Sequence, residues 1–194
     1  MKRIVGIVLL LLVGFVGYKV YRGFTGGNSK PSFASLPAEE QEKRRADAQK
    51  LVEQVEGIAK SAKSGQTKNF TLTANEDQFN TLIQDRLRTQ NLPIENPQFK
   101  FTEDNVALEG QAKYNGFKVP VALSGKPSVK ADGTLDFTVD SLTLSSLPAP
   151  SEWKDKAQNA IASGLPKAFG ANPNVHFKTV EVQDGKMTVT GKTN

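Results

Sequence analysis

The chain has 194 residues, with 25 Lys and Arg against 20 Asp and Glu, one His and no Cys. That length holds one domain of ordinary size plus an N-terminal appendage. The lack of cysteine excludes disulfides, thiolate metal sites, a cysteine nucleophile and a lipid-modified N-terminal cysteine. The formal charge of +5 resides in Lys2, Arg3, Lys19, Arg22 and Lys30, which leaves residues 31–194 formally neutral. A neutral body lacks the concentrated basic face that nucleic-acid binding needs.

Residues Ile4 to Tyr18 carry no charge, and Val20 and Tyr21 extend the run beyond Lys19. As a helix, Ile4–Tyr21 spans about 27 Å, close to the roughly 30 Å of a hydrocarbon core. Lys19 suits a snorkelling position, and Tyr18 and Tyr21 suit an aromatic belt. A cleaved signal peptide is the alternative, but no small-x-small site follows the apolar core. Residues 1–22 are therefore read as a single-pass transmembrane signal anchor. Lys2 and Arg3 favour a cytoplasmic N-terminus and a body outside the cytoplasm. The expected location is the cell membrane.

Residues 23–36 have the Gly, Ser and Pro content of a flexible linker. Pro37 then opens a helix, read over 37–64 as a stalk, with Glu39, Glu40 and Glu42 near its positive end. Its first half is polar nearly all round. Its second half places Leu51, Val55, Ile58, Ala59 and Ala62 at helical spacing, for docking on the domain at 65–194. A coiled-coil dimer is the alternative, without a sustained heptad run to carry it. Gly65 suits the helix C-cap.

Asn69 to Thr73 reads as a short strand. Asn75 with Gln78, or Thr73 with Glu76, has the spacing of a capping box. Phe79, Leu82, Ile83 and Leu87 then form the stripe of an amphipathic helix that ends near Gln90. From Gln98 to Leu144 apolar residues fall at every second position, which predicts a four-stranded antiparallel meander with one apolar face. Turns are expected at Glu103–Asn105, Asn115-Gly116, Ser124–Pro127 and Asp132-Gly133. Pro120 lies inside a strand pattern and demands an edge, a bulge or a bend.

The apolar phase is odd-numbered through Val139 and even-numbered at Leu142 and Leu144. A β-bulge near Asp140-Ser141 absorbs the extra residue. A similar slip separates Val175 and Phe177 from Val180 and Val182. Between them, Ser151 caps a third helix with Trp153, Ala157, Ala160, Ile161 and Leu165 on its inner stripe, which Gly164 and Pro166 end or kink. A final hairpin joins Val175–Val182 to Met187–Thr190 through Asp184-Gly185. The fold class is α+β: a curved antiparallel meander packed on two or three helices, after an N-terminal transmembrane helix.

No catalytic constellation accompanies these elements. His176 lacks a nucleophile or second acid at an informative spacing, which leaves it a structural or surface residue. No cofactor and no metal site are expected, and an enzyme is not. The apolar face is the candidate site instead. Its lining would be Phe99, Phe101, Phe117, Val119, Val121, Phe137, Leu142 and Leu144, the kind of side chains that hold an acyl chain. The competing expectation is an ordinary core filled by Phe79, Trp153 and Phe169. The protein would then support the cell envelope through a protein partner.

The segment Phe70-Thr71-Leu72-Thr73, Asn75-Glu76 and Phe79-Asn80-Thr81-Leu82-Ile83 resembles the strand-to-helix transition of the YpmS-like membrane-anchored bacterial proteins. Pro127-Ser128-Val129-Lys130, Asp132-Gly133-Thr134-Leu135 and Ser146-Leu147-Pro148-Ala149-Pro150 are similar to their proline strand, DG hairpin and Leu-Pro-x-Pro loop. The pattern departs at Ser145-Ser146, where a glycine is expected. A wider similarity is to the LmeA-type phospholipid-binding and tubular lipid-binding proteins. The resemblance implies an anchored, extracytoplasmic module that holds a lipid, with no individual binding residue carried over.

Overall fold

The computed structural model describes residues 36–87, 94–114, 117–145, 147–168 and 174–194. Helix α1 spans Ala38–Lys63, strand β1 Lys68–Asn75 and helix α2 Glu76–Leu87. Strands β2 (Ile94–Thr102), β3 (Asn105–Tyr114), β4 (Phe117–Val129) and β5 (Leu135–Leu144) follow, with the two-residue β6 (Leu147–Pro148). Helix α3 (Ser151–Ala168) and strands β7 (Val175–Gln183) and β8 (Lys186–Thr193) complete the chain. The class is α+β. Its strands divide into a five-stranded antiparallel sheet, β2-β3-β4-β5-β6, and a three-stranded one, β1-β8-β7. The apolar segment at 4–21 lies outside the described residues. Among the described helices none is long and apolar enough to cross a membrane.

Local chemistry explains the helix boundaries. Helix α1 starts after Pro37 and ends where Gly65 turns to φ +65, a conformation that costs glycine little. Its body contact begins at Arg44, which ion-pairs with Asp77 of α2 at 3.0 Å. Ala48 and Leu51 are buried beyond it. The polar half thus joins through charge and hydrogen bonds, a contact that apolar periodicity does not register. The capping box at α2 is the Asn75/Gln78 one. The Gln78 N–H donates to Asn75 Oδ1 at 2.8 Å, and the Asn75 N–H donates to Gln78 Oε1 at 3.0 Å. Helix α3 continues through Gly164 and Pro166 to Ala168 rather than ending there. Proline's φ of about −65° is itself helical, and the ring removes one backbone donor.

Both predicted phase slips are bulges. Ser124 pairs with Ser141 and Gly125 with Val139, so Asp140 is the extra residue. Phe177 pairs with Gly191 and Thr179 with Thr190, so Lys178 is the other. A third irregularity lies between Glu95 and Gln98, where Asn96 has φ +49 ahead of Pro97.

The turn expected at Ser124–Pro127 does not exist: β4 runs unbroken for 13 residues. Gly125 serves a close approach instead. A Cβ there would meet Thr138 O at 2.2 Å and the Phe137 ring at 2.5 Å. Pro120 stands in the central strand β4, opposite Gln111 of β3. Its carbonyl accepts Ser145 N–H where β5 turns away, so its missing N–H faces the end of the neighbouring strand rather than a ladder. Tyr114 pairs with Phe117 across the expected Asn115-Gly116 turn, which itself lies outside the described residues.

Helices close the edges of the five-stranded sheet. On β2, Phe101 N–H donates to Glu76 Oε1 at 2.7 Å. Phe99 N–H donates to Asn80 Oδ1 at 2.6 Å, and Asn80 Nδ2 donates back to Phe99 O at 2.9 Å. Four residues of helix rise about 6 Å and two of strand about 6.8 Å, so Glu76 and Asn80 match alternate residues of the strand. On β5, Gln158 of α3 does the same: Val139 N–H donates to its Oε1 at 2.6 Å, and its Nε2 donates to Phe137 O at 2.7 Å. Unpaired edges invite foreign strands, and these two amides block that pairing.

Candidate functional site

Strand register arranges the apolar face in rows. Phe101, Val106, Gly125 and Val139 form one row. Phe99, Leu108, Leu123 and Leu142 form the next, and Gly110, Val121 and Leu144 the third. Val119 lies one row further, opposite Ala112.

Helices cover the first rows. Phe79 of α2 meets Phe99 and Phe101 edge-to-face, with ring centroids 5.2 and 5.5 Å apart. Ala157 and Ile161 of α3 belong to the same buried cluster, as does Leu51 of α1. Five of the eight predicted lining residues, Phe99, Phe101, Val121, Phe137 and Leu142, are buried within it.

Burial fades along the strands. Val119 is half-buried, as are Leu144, Ala149 and Trp153, the last three packed at the cluster's margin. Leu147 in β6 is 68% exposed. Of the remaining predicted lining residues, Val119 and Leu144 therefore stand at the less buried end. The Phe117 side chain lies outside the described residues, as does Phe169. The structure brings the seven predicted residues whose side chains are described onto one face and separates them into a buried interior and a half-buried margin.

Ser145 explains the shape of that margin. It takes φ +47 between β5 and β6. The turn folds Leu147 and Pro148 back onto Leu144 and Thr143.

The sequence did not point to a concavity of about 740 Å³ in the seam between α1 and α2. Pro37, Lys43, Arg44, Asp47, Asp77 and Gln78 are among its lining. Arg44 bridges Glu40 and Asp77, and Gln78 Nε2 donates to Asp47 O at 3.1 Å. Arg44 and Asp77 are 33 residues apart, so no local pattern announces the seam. Its charges are largely satisfied among themselves, which suits anchoring α1 better than chemistry.

His176 stands half-buried beside the Asp132-Gly133 turn, where Phe177 N–H donates to Gly133 O at 2.9 Å. Among the described residues no group of three metal-ligating side chains converges. The Asp132 carboxyl is held below the usual aspartate range, first by the Thr134 hydroxyl and then by the Thr134 N–H. It belongs to the turn.

A comparison with curated proteins finds no match. The family comparison does: residues 46–167, from α1 through nearly all of α3, match a family described as an uncharacterized protein conserved in bacteria (DUF2140), and the chain belongs to that family.

Proposed function

We propose that this protein is a membrane-anchored, extracytoplasmic, non-enzymatic module that binds a lipid acyl chain on the apolar face of its larger sheet. The observation that carries this reading is the gradient of burial along that face. The interior rows are sealed by Phe79, Ala157 and Ile161, while Val119, Leu144 and Trp153 at the far end are half-buried. Acyl chains bind in concave apolar sites that need few polar groups. The apolar segment at residues 4–21 supplies the membrane, and the kinship with LmeA-type lipid-binding proteins forms part of the same proposal.

Trp153 is the only tryptophan and sits at that end, so its fluorescence tests the site. Full-length protein is mixed with vesicles of phospholipid brominated along the acyl chain, and with the same lipid unbrominated. Quenching by the brominated chains, relieved by Val119→Glu with Leu144→Glu, is expected. Equal emission with both lipids sinks the proposal.

A second reading has its own support. Five of the eight expected lining residues are buried in a continuous core. A filled core suits a structural module of the envelope that works through a protein partner. It predicts no quenching and a partner that co-purifies with the full chain.

A further inference from the structure

The three-stranded sheet has one edge whose outward backbone groups are not hydrogen-bonded among the described residues. Edge β2 and the part of β5 not paired with β6 carry the Asn80 and Gln158 clips. Edge β7 is tied near both ends, by Phe177 N–H to Gly133 O and by Asp104 N–H to Val182 O. Edge β1 differs. The two-residue hairpin makes Gln183 and Lys186 a hydrogen-bonded pair, and alternation along β8 then turns Met187, Val189 and Gly191 toward β1. Their partners Ala74, Leu72 and Phe70 spend their backbone groups on β8. Asn69, Thr71 and Thr73 direct theirs outward.

Among the described residues no hydrogen-bond partner takes those outward backbone groups, and all three residues are exposed. Only Asn75, at the strand's end, has its N–H taken, by Gln78. The strand is eight residues long, pairs with β8 without a bulge, and has no proline or inward charge in its middle. Natural edges normally carry such a device.

We propose that β1 is a dimerisation edge, pairing antiparallel with β1 of a second copy of this chain about a two-fold axis at Leu72. The strand is self-complementary in that register. Thr71 falls opposite Thr73 of the second copy, Leu72 opposite Leu72, and Phe70 opposite Ala74, which keeps polar and apolar faces aligned. Lys68, the only charge in the strand, meets no like charge in that register. The two three-stranded sheets become one of six strands, an isologous contact that closes on itself. This inference does not depend on a lipid ligand.

The test uses the full chain in detergent micelles. Light scattering is expected to give two chains per particle. Thr71→Pro removes only an outward N–H, so it is expected to give one chain per particle with unchanged circular dichroism and melting temperature. A wild type with one chain per particle, or a folded Thr71→Pro that stays paired, overturns the proposal. Two measurements need no folded proline variant. The Thr71 and Thr73 amides are expected to exchange slowly in the wild type, and free exchange contradicts the pairing. A nitroxide on Asn69→Cys, in a chain with no other cysteine, is expected to report Cα atoms about 21 Å apart. No resolved distance near that value overturns the register.

Discussion

Two residues fix the shape of the sheet, for opposite reasons. Ser145 adopts φ +47 without being glycine. A left-handed conformation costs an ordinary residue about 1–2 kcal/mol, and glycine's extra freedom when unfolded returns about 0.5–1 kcal/mol of that. Ser145→Gly is therefore expected to raise stability by about 0.5–1 kcal/mol in thermal melts; a lower melting temperature would count against the assigned backbone. Gly125 is the reverse case. An added Cβ strikes the backbone oxygen of Thr138 at the Asp140 bulge, so Gly125→Ala is expected to cost about 1–3 kcal/mol in denaturant unfolding. A loss under 0.5 kcal/mol would mean that the bulge yields easily. Asp132 gives the pH signature. Its carboxyl is lowered when folded, so its contribution is present above the unfolded aspartate value of about 3.9. That contribution is lost as pH falls through the folded value. Carbon-detected NMR titration is expected to place Asp132 below ordinary aspartate, and Thr134→Val to move it back up.

At the scale of elements, the amides that bind helices to strand edges hold the arrangement. Gln158→Leu leaves Val139 N–H and Phe137 O without their partner. Each unsatisfied group costs about 1–3 kcal/mol. The measurable result is a urea midpoint well below wild type with faster amide exchange at Val139. Unchanged exchange there would show that the clip does not close the edge. These clips were not legible in the sequence, because Asn80 and Phe99 are 19 residues apart, as are Gln158 and Val139. Periodicity shows which side of α2 faces the sheet but not which polar residue grips its edge. The bulges at Asp140 and Lys178 were legible, because an extra residue inverts the in-out phase of everything after it. The same alternation did not reveal that β4 passes straight through Ser124–Pro127. Gly and Pro there look like turn chemistry, while their cause is a ring and a carbonyl lying on the strand.

For the whole molecule, element order and class followed from the pattern of helices and alternating strands. The division into two sheets did not, since β1 and β8 pair across more than 100 residues. The candidate face was legible as a face. How far it is filled was not, because that depends on where α2 and α3 come to rest. Phe79 and Ile161 seal the interior rows, and Val119 and Leu144 remain at the margin. The proposed lipid site is therefore the margin, and the most direct measurement is the lipid content of the purified protein. Full-length chains are isolated from membranes, exchanged into one detergent, washed extensively and analysed by native mass spectrometry beside the Val119→Glu, Leu144→Glu variant. The account predicts about one lipid mass per wild-type chain and its absence from the folded variant. Wild-type chains that carry no lipid, or a variant that retains it equally, would contradict the account.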